Sequence, residues 1–258
     1  MSSSPDHPSP SSRATRPADV TAGLTRAQKI AMVSGADFWH TKSLDDRVLS
    51  IMLTDGPHGL RKQTGSGDHV GLTDSVPATC FPTAVTLGST WDLELIEQVG
   101  AALGREARAE EVGVLLGPGL NLKRHPAGGR AFEYFSEDPV LSGKAAAALV
   151  RGIQSEGVGA CLKHFAVNNQ ESQRMRLDTI VDERTLRELY LTGFEIAVTE
   201  SEPWVVMSAY NLVNGEHVGE SHRLLTEILR DEWGFTGLVV TDWFATADRP
   251  GALHAGVD

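Results

Sequence analysis

Short apolar runs that alternate with helix-like stretches constrain the fold of this chain more than any other feature. From Leu24 onward, six such runs can form strands, and each ends in polar or charged residues. The runs lack a strict alternation of apolar and polar residues, which is typical of strands covered on both faces. The candidate strands are residues 49–53, 83–87, 113–116, 159–162, 204–207 and 237–240.

Helix signals fall between these runs. Asp92 is placed to cap a helix whose apolar face includes Ile96 and Leu103, and Asp138 followed by Pro139 is typical of the start of another helix. This β-then-α order predicts a parallel sheet, either a barrel or an open doubly wound sheet. Six units are fewer than the eight of a closed barrel, so either some units are irregular or the chain ends before the barrel closes.

The composition predicts one folded domain that follows a tail. With 41% hydrophobic residues among 258, the chain can bury a sizeable core. Residues 1–22 are rich in Ser, Pro and charged residues, which predicts a flexible tail. That tail lacks the apolar core of a signal peptide, so we expect a cytoplasmic location. Residues 23–258 then form the domain.

The charge and motif content exclude several classes of protein. A net charge of −11 without a run of Lys or Arg argues against nucleic acid and anionic membranes as partners, and no apolar stretch is long enough to span a bilayer. Cys80 and Cys161 lie among apolar residues and predict two buried free thiols. Phosphate-binding, dinucleotide-binding and GxSxG motifs are missing, and the nine histidines show no metal-binding spacing. We therefore predict no metal and no cofactor.

Polar side chains at the ends of the predicted strands are the candidates for a functional site. Asp55, in TDGPHGLR, can accept hydrogen bonds from two neighbouring hydroxyl groups, although a simple turn Asp is the alternative. Lys163 and His164 follow another strand, and Lys163 fits either a hydroxyl donor or a Schiff-base lysine. Asp242 ends the segment LVVTD beside Trp243, which favours attack on the anomeric carbon of a sugar, with helix capping as the alternative.

Further polar residues lie in loops near these strand ends. The charged loop 120–139 contains Arg130 and Glu133 and predicts an ion-pair network, a polar ligand wall, or both. Arg174 adds a donor after the KHF segment, and Met207 and Tyr210 lie at the end of another strand. Because parallel strands place their carboxyl ends at one edge of a sheet, we expect these residues to gather there.

Taken together, the motifs resemble the N-terminal barrel domain of family 3 glycoside hydrolases, in the β-glucosidase branch. The resemblance covers nearly all of residues 24–258 and implies an α/β fold, a parallel TIM-like (β/α) barrel that is irregular or incomplete. It also implies a retaining exo-β-glycosidase acting on a carbohydrate, in a chain cut before the last strand and the C-terminal α/β sandwich domain. The matching stretches are TDGPHGLR, GPGLNLKRHPAGGRAFEYFSEDPVLSG, KHFAVNNQESQR, DERTLRELYL, MSAYNLVNG and GLVVTDWF.

The same resemblance implies roles for individual residues. Asp242 would be the nucleophile that forms a covalent glycosyl intermediate, and Tyr210 would help to hold it ionised. Glu133 would support the site. The remaining residues would bind the sugar, with Trp243 packing alongside: Asp55, Arg130, Lys163, His164, Arg174, Met207 and Tyr210.

The resemblance places the acid/base carboxyl outside this chain. A retaining glycosidase needs a second carboxyl about 5 to 5.5 Å from the nucleophile, and in the family it lies on the following sandwich domain. That missing domain is therefore an expected partner, and Glu133 and Glu171 are the weaker in-chain candidates. Asp55 and the Lys163–His164 pair favour a glucose-like ring, so terminal β-D-glucosyl residues are the expected substrate, with xylosides and arabinosides as alternatives. A Schiff-base aldolase and a non-catalytic sugar-binding barrel remain as alternatives from other classes.

Overall fold

The computed structural model describes residues 17–64 and 74–258, and the fold of this part is a parallel sheet covered by helices. The strands are short, and several end next to the polar residues discussed above. They are β1 (Leu53–Asp55), β2 (Val114–Leu116), β3 (Gly159–Phe165), β4 (Asp178–Thr179), β5 (Val205–Ser208), β6 (Leu212–Val213), β7 (Glu216–His217) and β8 (Leu238–Thr241).

The helices lie mostly between these strands. Two segments are π-helical, Leu186–Leu191 between β4 and β5 and Arg223–Glu232 before β8, and Val218–Glu220 forms a 3-10 turn. The α-helices are α1 (Pro17–Ala22), α2 (Arg26–Met32), α3 (Ala84–Thr90), α4 (Leu93–Ala109), α5 (Pro139–Ser155), α6 (Glu183–Thr185), α7 (Thr192–Ser201) and α8 (Arg249–Ala255).

The main sheet has the order β1-β2-β3-β5-β8, and all its neighbours are parallel. Its strands are covered on both faces. Val206, for example, belongs to the large core beneath the helices, whereas Val205 and Met207 belong to a second cluster on the opposite face with Leu53 and Cys161. A small second sheet of β4, β6 and β7 lies apart from it. Five parallel strands with covering helices form an incomplete barrel, as the sequence predicts.

Close packing of α4 against α5 fixes the helical layer behind the sheet. A side chain at Gly152 would place its Cβ 2.1 Å from the carbonyl oxygen of Glu97, so only glycine allows this approach. Asp92 and Asp138 cap the two helices by accepting hydrogen bonds from the backbone N–H groups of Leu95 and Leu141. Both caps agree with the sequence prediction.

Two of the predicted strands need correction. Residues 83–87 were predicted as a strand but begin the helix α3, because a short apolar run carries too little periodicity to separate a strand from a buried helix. The strand predicted over residues 49–53 begins only at Leu53, and Leu49 and Ile51 are exposed. The four other predicted strands coincide with β2, β3, β5 and β8 to within a few residues.

Other sequence predictions have mixed outcomes. Cys161 is a buried free thiol, but Cys80 is exposed, so the prediction of two buried thiols was wrong for Cys80. Within the predicted tail, Pro17–Ala22 forms α1, and residues 1–16 lie outside the described residues. Among the described helices, none has the length and apolar character needed to cross a membrane. The cytoplasmic location stays a prediction.

Candidate active site

Polar side chains meet at the carboxyl edge of the main sheet. Asp55 is the last residue of β1, Lys163 and His164 lie near the carboxyl end of β3, and Asp242 directly follows β8. The backbone N–H of Asp242 donates to the carbonyl of Ser208, the last residue of β5 (3.1 Å). Because all these strands are parallel, their ends deliver the predicted residues to one place.

Lys163 lies between two carboxylates. Its Nζ is 3.2 Å from Oε1 of Glu133 and 3.4 Å from Oδ1 of Asp55, and its side chain is only 5% exposed. Burial acts to lower the pKa of Lys163, but the charges of Glu133 and Asp55 outweigh it and raise that pKa. Lys163 is therefore a fixed ammonium group in the floor of the site.

Glu133 binds a second cation with the rest of its carboxylate. Arg130 donates from Nε to Oε2 (2.6 Å) and from a terminal nitrogen to Oε1 (2.8 Å), which is the bidentate geometry that guanidinium and carboxylate groups favour. Burial acts to raise the pKa of Glu133, but Lys163 and Arg130 together hold it far below its usual range. The result is an alternating chain of charges that runs Arg130, Glu133, Lys163, Asp55.

Asp242 is a largely buried carboxylate with well-defined neighbours. The backbone N–H of Trp243 donates to its Oδ1 (2.8 Å), the hydroxyl of Tyr210 donates to the same carboxylate, and Nε2 of His164 lies 3.7 Å from its Oδ2. Burial raises the pKa of Asp242 above its usual range, while the Trp243 N–H, Lys163 and Tyr210 act in the opposite direction. A carboxylate in this environment is weakly solvated and can act as a nucleophile.

The backbone and the imidazole of His164 are each held by a neighbouring side chain. The side chain of Asn121 accepts from the backbone N–H of His164 and donates to its carbonyl, each at 2.9 Å. The hydroxyl of Tyr134 lies 3.1 Å from Nδ1. Burial, followed by the nearby charges of Arg130 and Lys163, lowers the pKa of His164 well below its usual value, so the ring is neutral.

Arg174 and Tyr210 form one wall of the site. The guanidinium carbon of Arg174 lies 4.7 Å from the centre of the Tyr210 ring, within the range of a cation–π contact. Arg174 also pairs with Glu171 (3.0 Å), which leaves its charge balanced. This contact fixes the ring whose hydroxyl reaches Asp242.

Met207 and Trp243 contribute apolar surface rather than polar contacts. Met207 is buried in the cluster on the inner face of the sheet, against which Trp243 and Trp39 pack. The centres of the two indole rings lie 5.4 Å apart, and the indole N–H of Trp243 donates to the carbonyl of Phe38 (3.0 Å). Trp243 thereby joins the segment after β8 to the segment before β1.

Three residues of the site escaped the sequence analysis: Asn121, Tyr134 and Trp39. Asn121 and Tyr134 lie in the stretch GPGLNLKRHPAGGRAFEYFSEDPVLSG, but nothing in their spacing indicates that both would contact His164. A buried tyrosine in a charged loop is a signal that could have identified Tyr134, because its hydroxyl requires a polar partner.

A cavity of about 420 Å³ lies beside this site, between the outer strands β1 and β8, and Trp39 and Trp243 belong to its lining. Its lining includes Leu53, Leu238 and Val240 but none of the charged chain from Arg130 to Asp55, and not Asp242. The concentration of buried charge, rather than this apolar space, marks the candidate active site. In the described part of the chain, no group of three or more His, Cys, Asp or Glu side chains is arranged to hold a metal ion.

Comparison with known proteins gives a consistent result. The model of the glycosyl hydrolase family 3 N terminal domain matches residues 57–256. Thermostable beta-glucosidase B from Acetivibrio thermocellus is 58% identical over 236 residues, which cover 91% of this chain and 31% of that protein. An exo-alpha-(1->6)-L-arabinopyranosidase from Bifidobacterium longum is 51% identical over 237 residues, with the same coverage of 91% and 31%.

A solved structure agrees with these relatives. Beta-glucosidase 3B from Thermotoga neapolitana, determined in complex with alpha-D-glucose, superposes with a TM-score of 0.87 at 44% identity, over 93% of this chain and 35% of that one. The chain spans about a third of the length of the relatives it matches. On the strength of the family match and of these identities, the chain belongs to glycosyl hydrolase family 3 and corresponds to its N-terminal domain.

Proposed function

We propose that this chain carries the nucleophile and the sugar site of a retaining exo-β-glucosidase that releases terminal glucosyl residues. The arrangement around Asp242 carries the proposal. A buried carboxylate, held by Trp243 and Tyr210, lies on the same sheet edge as Lys163 and Asp55, which are suited to binding hydroxyl groups. The identity of 58% to a beta-glucosidase supports this assignment.

In the proposed mechanism, a carboxylate oxygen of Asp242 attacks C1 of the sugar. The bond from C1 to the leaving oxygen breaks through an oxocarbenium-like transition state, and a second carboxyl gives its proton to that oxygen. Water, deprotonated by the same second carboxyl, then attacks C1 of the glycosyl-enzyme and releases Asp242. Asp55, Arg130, Lys163, His164 and Arg174 are proposed to hold the sugar hydroxyls during both steps, with Met207, Tyr210 and Trp243 completing the site.

Glu133 is unsuited to the role of the second carboxyl. A general acid must hold a proton at the working pH, whereas two cations lower the pKa of Glu133 far below its usual range. We propose that the acid/base carboxyl belongs to another domain of the protein. The relative with 58% identity is about three times as long as this chain, which leaves room for such a domain. On its own the chain would then hydrolyse unactivated glycosides at a rate about 10² to 10⁴ times lower than with the acid in place.

Two alternatives are separated by specific observations. A Schiff-base lysine must lose its proton to attack a carbonyl, but the neighbours of Lys163 raise its pKa, which disfavours an aldolase. A pentose preference is supported by the relative named as an exo-alpha-(1->6)-L-arabinopyranosidase, at 51% identity. We rank it, together with a xyloside preference, after glucose, because the first of the relatives compared is a beta-glucosidase with higher identity.

The intact mass of the chain after incubation with a 2-fluoro glucoside that carries a dinitrophenolate leaving group tests the proposal. This leaving group departs without a proton, so labelling does not need the acid/base carboxyl. We expect one adduct on Asp242 in the wild-type chain and none in Asp242→Asn. A folded wild-type chain that stays unlabelled, or one labelled at a different residue, would refute the assignment. Matched 2-fluoro reagents with xylosyl and arabinopyranosyl rings rank the sugars by their labelling rates.

A further inference from the structure

The two ring nitrogens of His164 face different partners, and this arrangement has a consequence for the proposed site. Nδ1 lies 3.1 Å from the hydroxyl of Tyr134, and Nε2 lies 3.7 Å from Oδ2 of Asp242. The side chain of Asn121 holds the backbone N–H and carbonyl of His164, whereas the ring itself is contacted by Tyr134 at one edge and faces Asp242 at the other. His164 is 2% exposed.

The ring carries a single proton, because burial and the adjacent cations keep it neutral. A neutral imidazole has one N–H donor and one bare acceptor nitrogen, so the position of the proton decides what each edge can do. If the proton were on Nδ1, Tyr134 would have to accept from it. The bare Nε2 would then point its lone pair toward the carboxylate of Asp242.

Tyr134 decides between these two forms. The residue is 4% exposed, and burial raises the pKa of its hydroxyl, so the hydroxyl keeps its proton. Within the described part of the chain, Nδ1 of His164 is the hydrogen-bond partner of this hydroxyl. A buried O–H needs an acceptor, and a bare Nδ1 provides one. At the other edge, an Nε2–H group is attracted to Asp242, so both edges favour the same form.

We infer that Tyr134 is a positioning residue: its hydroxyl donates to Nδ1 of His164 and fixes the ring as the Nε2–H tautomer. The N–H is thereby aimed at the space beside Asp242. A separation of 3.7 Å is too long for a direct hydrogen bond to that carboxylate, so the N–H is available to a third group. On the proposed function, on which this step rests, that group is a hydroxyl of the bound sugar.

Nitrogen NMR of the chain labelled with ¹⁵N at the histidine rings tests the tautomer directly. The signals of His164 are identified as those that disappear in His164→Asn. In the wild-type chain we expect Nδ1 to have the shift of a bare acceptor nitrogen and Nε2 that of an N–H, and this pattern should persist across the pH range in which exposed histidines titrate. A protonated Nδ1 in this spectrum would overturn the inference.

Tyr134→Phe tests the cause. Phenylalanine keeps the ring but removes the hydroxyl, so we expect the Nδ1–H tautomer of His164 to become populated. Tyr190→Phe is the matched control, because Tyr190 contacts Arg124 away from His164, and it should leave the signals of His164 unchanged. An unchanged tautomer ratio in folded Tyr134→Phe would show that the tautomer does not depend on Tyr134 and would overturn its positioning role.

Labelling kinetics separate this inference from the proposed function. If the wild-type chain is labelled by the 2-fluoro glucoside, Tyr134→Phe should react roughly 10- to 100-fold more slowly, as expected for a misplaced contact to the sugar. Labelling at the wild-type rate would overturn the positioning role. If the wild-type chain is not labelled at all, the proposed function fails, and the NMR spectrum still decides the tautomer.

Discussion

Lys163 and Glu133 form a buried ion pair, with Nζ and Oε1 3.2 Å apart and both side chains less than a tenth exposed. Glu133 comes from the loop after β2 and Lys163 from β3, so the pair also ties that loop to the sheet. Arg130 pairs with the same Glu133 carboxylate. Removal of the charge of Glu133 would therefore leave Lys163 and Arg130 without their common partner.

Glu133→Gln should therefore destabilise the fold. We expect a loss of about 3–5 kcal/mol in the free energy of unfolding, because breaking a buried ion pair leaves an uncompensated charge. Urea denaturation measures this loss as a lower midpoint. Glu183→Gln is the control, since Glu183 pairs with Arg187 on the surface and its removal should cost less than about 1 kcal/mol. Equal effects of the two substitutions would contradict the importance of burial.

The stability of the wild-type chain should depend on acid pH through the same residue. The folded-state pKa of Glu133 is depressed below its ordinary value of 4.5, so its contribution is fully present above that pH. The contribution is lost as the pH falls from there through the folded-state pKa. Midpoints of urea denaturation at a series of pH values should fall less steeply below pH 4.5 in Glu133→Gln than in the wild type. Parallel curves would disprove the assignment of this acid sensitivity to Glu133.

Asp242→Asn should have the opposite effect on stability. Burial raises the pKa of Asp242, so its charge is disfavoured in the folded state at neutral pH. The penalty is present above the folded-state pKa and disappears as the pH falls below the ordinary value, because the carboxyl is then protonated in both states. We expect a gain in stability at pH 7 that shrinks toward acid pH. Calorimetric melts at pH 7 and at acid pH measure this gain in stability. A loss of stability at pH 7 would argue against this account.

Tyr210→Phe should shift the pH dependence of the reaction at Asp242. The hydroxyl donates to the Asp242 carboxylate and lowers its pKa, so its removal raises that pKa further. The acid limb of the labelling rate with the 2-fluoro glucoside should move to higher pH, while the rate well above the limb changes less. The same profile for both proteins would mean that Tyr210 does not hold the nucleophile ionised.

Gly152→Ala should weaken the helical layer without touching the site. The added methyl group would meet the carbonyl oxygen of Glu97 at 2.1 Å, so α4 and α5 must separate. Overpacking of this kind costs about 1–3 kcal/mol, which thermal unfolding would detect. Val140→Ala, at an exposed position of α5, should change the stability by less than about 0.5 kcal/mol. A Gly152→Ala chain as stable as the wild type would mean that the helices adjust freely.

Much of the fold was predictable because a parallel sheet covered on both faces requires apolar runs. Val205 and Val206 face opposite sides of the sheet, yet both are buried, and this explains why the run around β5 is continuously apolar. The same rule misassigned residues 83–87, since Ala84 and Leu87 are also buried, but in a helix. The apolar run therefore indicated burial in both cases, but a run of this length does not distinguish a strand from a buried helix.

The candidate site was predictable only in part. Asp55, Lys163, His164 and Asp242 lie at or just after the carboxyl ends of strands, and strand order alone brings them together. The contact between Tyr134 and His164 depends instead on the path of a loop between β2 and α5, which has no periodicity to read. Buried polar partners of this kind become visible only when each donor and acceptor can be matched in space.

The alternating chain of charges also sets the electrical character of the site. Two cations, Lys163 and Arg130, face the three carboxylates of Asp55, Glu133 and Asp242, while the ring of His164 adds no charge. One negative charge is therefore left over. On the proposed function, it would lie beside the anomeric carbon, where positive charge would develop during attack by Asp242. Formation of the ester bond would cancel it, so the surplus would stabilise the carbocation-like state and vanish in the intermediate that follows.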